Sequence, residues 1–451
     1  MAEREIRVED TVAALLESKK YASVRDMLIA TNSADVAAIF ERLPSEKLPL
    51  LFRLLPKTQA AEVFVEMDSD TQQHLIHGFS DAELRDVVEE LYVDDTVDIV
   101  EEMPANVVKR ILASSDADTR RMINEILKYP EDCAGSIMTT EYVSLRPNMS
   151  VEDAMLRIRR TGVDKETIYT CYVTDDNRRL LGFVTVKDML LAEDDEKISD
   201  VMTTNIIFAQ TLEDKEDVAK KFSKYDVLAL PVVDEEGRLV GIVTVDDAID
   251  VLQDEATEDI EMMAAITPYD KPYLKTNIWE LFRARVPWLL LLMVSATFTG
   301  MIITSFESAL AAQVTLTAFI PMLMDTGGNS GSQASVTIIR SLSLGELEFS
   351  DLWRVQWKEL RVALLCALTL AAANFLKLML FDRLSIVVAA TVCLTLAATI
   401  VVAKIVGCTM PMLAKKIGFD PAVMASPFIT TIVDALSLLL YFRFATILLH
   451  L

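Results

Sequence analysis

Histidine is close to absent from this chain, with three residues in 451 at His74, His77 and His450. That scarcity argues against chemistries built on imidazole, such as HExxH zinc hydrolysis or a serine nucleophile activated by histidine. His74 and His77 are three apart and share a predicted helical face, but with no cysteine or HExxH beside them they read as surface residues. Cysteine is also sparse. Cys133, Cys171, Cys366, Cys393 and Cys408 are scattered, three of them in apolar runs, which argues against a disulfide framework or a CxxC metal site and leaves small buried hydrophobes. The basic start and apolar core of a secretory peptide are missing as well, because Met1 to Asp10 (MAEREIRVED) is polar and acidic. The soluble part is therefore expected to stay in the cytosol.

What is present divides the chain in two. The whole carries 43 Lys and Arg, 68 Asp and Glu and a net charge of -25, yet 52% of it is hydrophobic. From Lys275 onward there are 13 basic and 10 acidic residues, leaving 30 and 58, and a net of -28, for the part before it. An acidic soluble portion thus precedes an apolar one. Its charge disfavours nucleic acid or anionic lipid as partner and favours cations.

From about Val8 to Leu127 a helical phrase recurs (VAAIFERLP, LPLLFRLLP, LRDVVEELY, TVDIVEEMP), apolar at three and four and closed by Pro, Ser, Asp or Thr. Such short helices bury their faces only by stacking into a superhelical coil. A second repeat follows. Ile137-Met138-Thr139-Thr140 returns as Val201-Met202-Thr203-Thr204, and LLGFVTVKDML (180–190) as LVGIVTVDDAI (239–249), within a strand, helix, strand, strand, helix pattern. This pair resembles cystathionine-β-synthase (CBS) domains in tandem. The resemblance implies an adenine nucleotide in the cleft between them, with Thr185, Asp188, Thr244 and Asp247 near its ribose and phosphates. The acidic run after the second unit, Asp246 to Tyr269, is helical in period, and Pro268 and Pro272 are expected to end it.

Apolar runs at 286–306, 309–324, 362–381, 385–407 and 428–449 predict about five transmembrane helices, each near the roughly 20 residues needed to cross a bilayer. Basic residues gather at Arg283/Arg285, Arg340/Arg354/Lys358/Arg361 and Lys415/Lys416, which puts the amino end in the cytosol and the carboxyl end outside. Asp434 stands in the middle of the last run. A carboxylate there costs roughly 2.5 to 3.5 kcal/mol on insertion scales, so it is expected to face water or a partner. The segment Pro321 to Ser335 (PMLMDTGGNSGSQAS) lets helix backbones approach or break at its glycines, and its polar oxygens are tolerated only against protein or water. With Asp325 and Asp434 it offers oxygen ligands only, which suit Mg²⁺ or Ca²⁺ rather than soft metals. Lys377 is expected to snorkel to the interface.

The order of helical domain, tandem CBS units, acidic helix and membrane helices, with PMLMDTGGNSGSQ and DPA…PFITTIVD, resembles the MgtE family of magnesium channels over essentially the whole chain. The fold class expected is multidomain. It comprises an all-α superhelical N-domain (1–131), an α/β CBS pair (132–198 and 199–252), an acidic connecting helix (246–271) and an α-helical membrane domain (275–451). The resemblance implies a homodimer in the plasma (inner) membrane with a Mg²⁺ pore on its two-fold axis, carrying Asp434 as pore ligand and lined by Thr430, Thr431, Gly328, Asn329, Gln333 and Asp325. It also implies closure by cytosolic Mg²⁺ held at Glu62, Asp94, Asp98, Asp214, Glu216, Asp226, Asp247, Asp250, Glu258, Asp259 and Asp420. Alternatives are a transporter of Mn²⁺, Co²⁺ or Ni²⁺ and a membrane-tethered sensor that passes no ion. Gly328-Asn329-Ser330-Gly331 matches the GxSG of rhomboid-type proteases, but the only nearby histidine is His450 at the chain end, so an enzyme is not expected.

Overall fold

The computed structural model describes residues 2–269 and 271–449, in two compact units, Met1–Leu252 and Gln253–Leu451. His450 lies outside the described residues. The first unit opens with helices α1 (Ala2–Glu17), α2 (Tyr21–Ile29), α3 (Ser33–Arg42), α4 (Leu48–Phe52), α5 (Lys57–Val65), α6 (Ser69–Gly78), α7 (Asp81–Val88), α8 (Val93–Glu102), α9 (Ala105–Ser114) and α10 (Ala117–Ile126). Helices α3, α5, α7 and α9 begin at 33, 57, 81 and 105, a step of 24 residues that the recurring phrase only suggested. Their caps keep the same step. Asn32 and Ser80 accept first-turn amides, from Ala34 and Glu83, while Pro56 and Pro104 hold the chain extended before the helix. Consecutive members of this series pack on one another. Phe52, Phe64 and Phe79 meet in the core between them, with ring centroids 5.1 to 6.3 Å apart. The ion pairs Arg53–Glu83 (2.6 Å) and Lys57–Asp86 (2.7 Å) lie at the surface and add little beside that burial.

The same unit then holds two small sheets. The first contains β1 (Ser144–Leu145), β2 (Thr170–Thr174) and β3 (Leu180–Thr185), with α11 (Val151–Thr161) after β1 and α12 (Val186–Leu191) after β3. After a short α13 (Ile198–Val201) the plan repeats as β4 (Ala209–Gln210), α14 (Lys215–Tyr225), β5 (Ala229–Val233), β6 (Leu239–Thr244) and α15 (Val245–Met263). In each sheet the first pair of strands is parallel and the second antiparallel. The repeated Met-Thr-Thr marks gain a reason here, because each is exchanged. Thr139 of the first unit exchanges both backbone hydrogen bonds with Ile242 on β6 (2.8 and 2.9 Å), and Thr203 does the same with Phe183 on β3 (2.8 and 3.0 Å). Gly241 and Gly182 make room for this. A Cβ on Gly241 would lie 2.7 Å from Met138 Sδ and 2.8 Å from the Thr139 carbonyl, and one on Gly182 would lie 2.9 Å from Met202 Sδ.

The second unit contains α16 (Ile278–Ser305), α17 (Glu307–Ala312), α18 (Ile320–Ser343), α19 (Leu352–Leu380), α20 (Ile386–Lys416) and α21 (Ser426–Leu449). Among the described residues four stretches are long and apolar enough to cross a membrane: α16, α20, the stretch 349–380 that contains α19 and the stretch 421–449 that contains α21. The run expected at 309–324 is no single span. It is divided among α17, a 3-10 turn (Val314–Phe319) and the start of α18, and the glycine-rich segment continues as regular helix to Ser343 instead of breaking it. The 24 residues of α18 suffice to cross at about 1.5 Å per residue, while Asp325, Asn329 and Gln333 make it more polar than the other four stretches. The acidic helix α15 likewise stops at Met263, before the two prolines expected to end it, and Ala265 takes a left-handed φ of 55°.

Because the exchanged strands meet across glycine, Gly241→Ala should lower the unfolding free energy by roughly 1–3 kcal/mol, the usual range for forcing atoms into a packed interior. Thermal unfolding of the full chain in detergent measures this, and an unchanged midpoint would show that the exchange tolerates a side chain.

Candidate cation path and acidic cluster

Helix α18 is built around a stripe of small residues. A Cβ on Gly327 would lie 2.7 Å from Thr399 Cγ2 on α20, on Gly328 2.8 Å from Thr430 Cγ2 on α21, and on Gly331 2.8 Å from Ile429 Cγ2. A Cβ on Gly407 of α20 would run into the Gly331 carbonyl itself. The glycines therefore serve close approach of three helices, as small residues do in membranes. The other face of α18 carries Asp325, Asn329 and Gln333 at four-residue spacing, all exposed on the single chain. Three polar side chains in line cannot face hydrocarbon.

Helix α21 meets that region. Thr430 sits on Gly328, and one turn further Asp434 is half-buried with its Oδ1 shielded from solvent and without a hydrogen-bond partner. Asp325 is the charge that acts on it. Thr431 Oγ1 donates to the Pro427 carbonyl at 3.0 Å within its own helix. Of the residues expected to line a path, Asp325, Gly328, Thr430 and Asp434 come together where α18 and α21 cross, and Asn329 adjoins them.

A second constellation lies in the first unit. Asp94, Asp95 and Asp98 on α8 face Asp246 and Asp247 at the start of α15, and Glu141 and Glu166 join them from the first small sheet's unit. Asp94 is only 7% exposed, and neither its Oδ1 nor Glu166 Oε2 has a hydrogen-bond partner among the described residues. Glu141 is better served, accepting from the Val93 amide (3.1 Å) and Thr139 Oγ1 (3.2 Å). Burial, and then the neighbouring carboxylates, raise Asp94 well above the carboxylate range, Asp95 to about 7 and Glu166 to about 8. Asp247 rises to about 6 for the same first cause, held back by its hydrogen bond from Thr244. Asp98, at the open edge of the cluster, is likewise raised to about 7, by burial of its carboxyl and then by Asp247 and Asp95. Among the described residues no three His, Cys, Asp or Glu side chains converge as direct metal ligands. Crowded, uncompensated oxygens without a closed ligand cage suit a hydrated dication, and Mg²⁺ gives up its waters reluctantly.

Within the first unit the structure does not gather Glu62, Asp214, Glu216 or Asp226 into this cluster. Glu62 accepts from Ser33 Oγ at 2.7 Å on the surface of the helical stack. Asp214 caps α14, Glu216 pairs with Lys220 at 2.7 Å, and Asp226 ends α14 with a left-handed φ of 52° beside a cavity of about 360 Å³ lined by Phe222, Leu228 and Ile249. Asp250, exposed one turn beyond Asp247, borders the cluster and acts on Asp247 as a further carboxylate. In the second unit Asp259 accepts from Ser343 Oγ at 3.4 Å, Glu258 precedes it on α15, and Asp420 caps the 3-10 turn Pro421–Met424 through the Ala422 amide. Thr185 and Asp188 satisfy each other as the capping box of α12, and Thr244 donates to Asp247 in the same way. Asp247 thus belongs to the carboxylate cluster. The sequence reading passed over Asp95, Asp246, Glu141 and Glu166. The first two adjoin residues that it named, but the glutamates lie in loops and carry no local signal. It also missed a buried ion pair between Glu359 and Lys404.

Family comparison adds three matches along the chain. Residues 320–444 match the MgtE divalent cation transporter model, 31–132 the MgtE intracellular N domain, and 134–195 and 198–254 the CBS domain. The chain is 37% identical over 432 residues to the magnesium transporter MgtE of Thermus thermophilus, covering 95% of each chain. It is 32% identical over 447 residues to that of Bacillus subtilis, covering 97% of each. Among solved structures, the cytosolic domain of the Mg²⁺ channel MgtE in complex with ATP superposes with a TM-score of 0.52 at 36% identity, over 54% of this chain and 99% of that one.

The raised carboxylates make the first unit sensitive to pH. With the folded pKa above the ordinary value, the packed cluster holds protons that the separated chain releases, so its stability is full below about pH 4 and is lost as pH rises through about 6 to 8. In the presence of a chelator the full chain should therefore melt at lower temperature at about pH 8.5 than at about pH 6, and Mg²⁺ should restore more at the higher pH. Equal Mg²⁺ stabilisation at both values would remove the cluster as a cation site.

Proposed function

Because the chain belongs to the MgtE family of magnesium transporters, we propose that it is a homodimeric Mg²⁺ channel of the plasma membrane whose path runs along α18 and α21 and which cytosolic Mg²⁺ closes. The observation that carries this reading is the exposed line Asp325, Asn329, Gln333 on a membrane-length helix, beside the uncompensated Asp434. A second copy related by a two-fold axis would turn both lines toward a common aqueous path and present two Asp434 carboxylates to the ion. Asp434 then attracts the hydrated dication, while Asn329, Thr430, Thr431 and Gln333 accept or donate hydrogen bonds to its waters. The amino end lies in the cytosol by the distribution of Lys and Arg, and at about -100 mV a dication is driven inward by about 4.6 kcal/mol.

The acidic cluster acts as the sensor. At low Mg²⁺ the carboxylates of α8, α15, Glu141 and Glu166 repel one another. A hydrated Mg²⁺ bridging them favours the packed arrangement and the closed state. Glu258, Asp259 and Asp420 belong to the same control at the membrane side. The domain limits expected from the sequence, 1–131, 132–198, 199–252, 246–271 and 275–451, are retained in this reading. An adenine nucleotide at the CBS pair, near Thr185, Asp188 and Thr244, draws support from the ATP complex of the related cytosolic domain.

Purified protein in liposomes with a Mg²⁺-sensitive dye inside should admit Mg²⁺ rapidly under an inward potential, and Asp434→Ala should reduce entry by about two orders of magnitude. No entry through folded wild type at low cytosolic Mg²⁺ would favour Mn²⁺, Co²⁺ or Ni²⁺ as cargo, or a sensor that passes no ion. In the same assay Asp94→Asn combined with Asp95→Asn and Glu166→Gln should leave the channel conducting at Mg²⁺ levels that block wild type. Unchanged block would move the gate elsewhere.

A further inference from the structure

Helices α19 and α20 are joined by polar pairs that descend one helix as they climb the other. Gln356 Nε2 donates to Thr409 Oγ1 at 3.1 Å, Lys404 Nζ lies 3.6 Å from Glu359 Oε2, and Asn374 Nδ2 lies 3.7 Å from Cys393 Sγ. The middle pair is charged and deep, with side chains only 7% exposed for Lys404 and 15% for Glu359. Glu359 Oε2 has no hydrogen-bond partner among the described residues, so the Lys404 ammonium is its compensation. Glu359 stands between Lys358 and Arg361 at the basic flank of the apolar run 362–381 and Lys404 within the run 385–407, yet the pair is closed off from solvent between the two helices, where packing alone would be served as well by apolar side chains.

Their level in the fold supplies a reason for the pair. Ala403, beside Lys404, offers the carbonyl that a Cβ on Gly331 would meet at 3.2 Å, and Gly407, three residues on, receives the Gly331 carbonyl. Gly331 stands between Asn329 and Gln333 on α18. One turn of α20 thus grips Glu359 on one side and supports the polar helix on the other. We propose that Glu359 and Lys404 are a positioning pair that fixes α20 at this level, and that both the rate and the selectivity of cation passage depend on the neutrality of the pair. This rests on the cation path along α18 and α21. An uncompensated charge on either helix draws in water or displaces its helix. The contact at Gly331 then shifts, and the spacing of Asn329 and Gln333 shifts with it.

The test is a double-mutant cycle on the full-length protein in liposomes, with Mg²⁺ and Ca²⁺ entry measured separately for wild type, Glu359→Gln, Lys404→Met, the double variant and Lys404→Arg. Each neutralising single variant should lose about tenfold or more in Mg²⁺ entry, and its Mg²⁺ to Ca²⁺ ratio should fall. The double variant and Lys404→Arg should both return to within about threefold of wild type in rate, with the ratio restored. Recovery of the ratio distinguishes positioning of the path from mere stability. If a single variant fails to assemble, conduction with normal selectivity by the double variant supports the pair. Single variants with wild-type rate and ratio, or a double variant as impaired as the product of the singles, would overturn it while leaving the path intact. Wild type that passes no Mg²⁺ would overturn the path and the pair together.

Discussion

A carboxylate kept from water must be answered by a cation or by a proton, and among the described residues two places offer it no cationic side chain. On α8, α15 and the neighbouring loops, the charges acting on Asp94, Asp95 and Glu166 are other carboxylates. In the membrane unit Asp434 has Asp325 as its charged neighbour. Glu359 shows the contrast within the same unit, since Lys404 answers it from inside the protein. An internally compensated acid organises helices, whereas an uncompensated one is an affinity waiting for a solute. A small, strongly hydrated dication meets that affinity without a preformed ligand cage.

Backbone approach sets how those acids are displayed. Without Cβ atoms at Gly327, Gly328, Gly331 and Gly407, helices α18, α20 and α21 pack closely on one face of α18, where the only buried polar side chains are the small Ser330 and Ser335, and Asp325, Asn329 and Gln333 lie on the exposed side. The small residues and the polar line are thus two faces of one design. Only a helix this tightly held can keep a row of amides and a carboxylate in place without burying them among its own neighbours.

Much of this was legible in the sequence where the signal is local. The recurring phrase, the duplicated Met-Thr-Thr marks and the glycine-rich segment each carry a period or a composition that survives reading along the chain. Asp434 announced itself by its apolar surroundings. The glutamates at 141 and 166 were illegible because nothing near them in sequence distinguishes them from solvated acids, and only the packing of α8 against the CBS units gathers them. Lys404 was hidden for the opposite reason, since a lone lysine in an apolar run reads as one that reaches for the surface until its partner on another helix is known. The end of α15 was misjudged because Ala265, with no sequence mark, leaves the helix before the prolines do.

The exchange of strands between the CBS units also fixes an order in time. Thr139 finds its partner Ile242 about 100 residues later in the chain, so the first unit stays unsealed until β6 has left the ribosome. Helices α1 to α7 ahead of it pack among themselves, while α8 and α10 bury Val93, Val97, Ile123 and Ile126 against the second small sheet's unit and wait for it too. The carboxylate cluster, which needs Asp247, assembles immediately after the seal, as the first hydrophobic helix is about to emerge. Every carboxylate of the cluster thus precedes the whole second unit in the chain, so the acidic cluster is encoded and emerges ahead of all the hydrophobic helices.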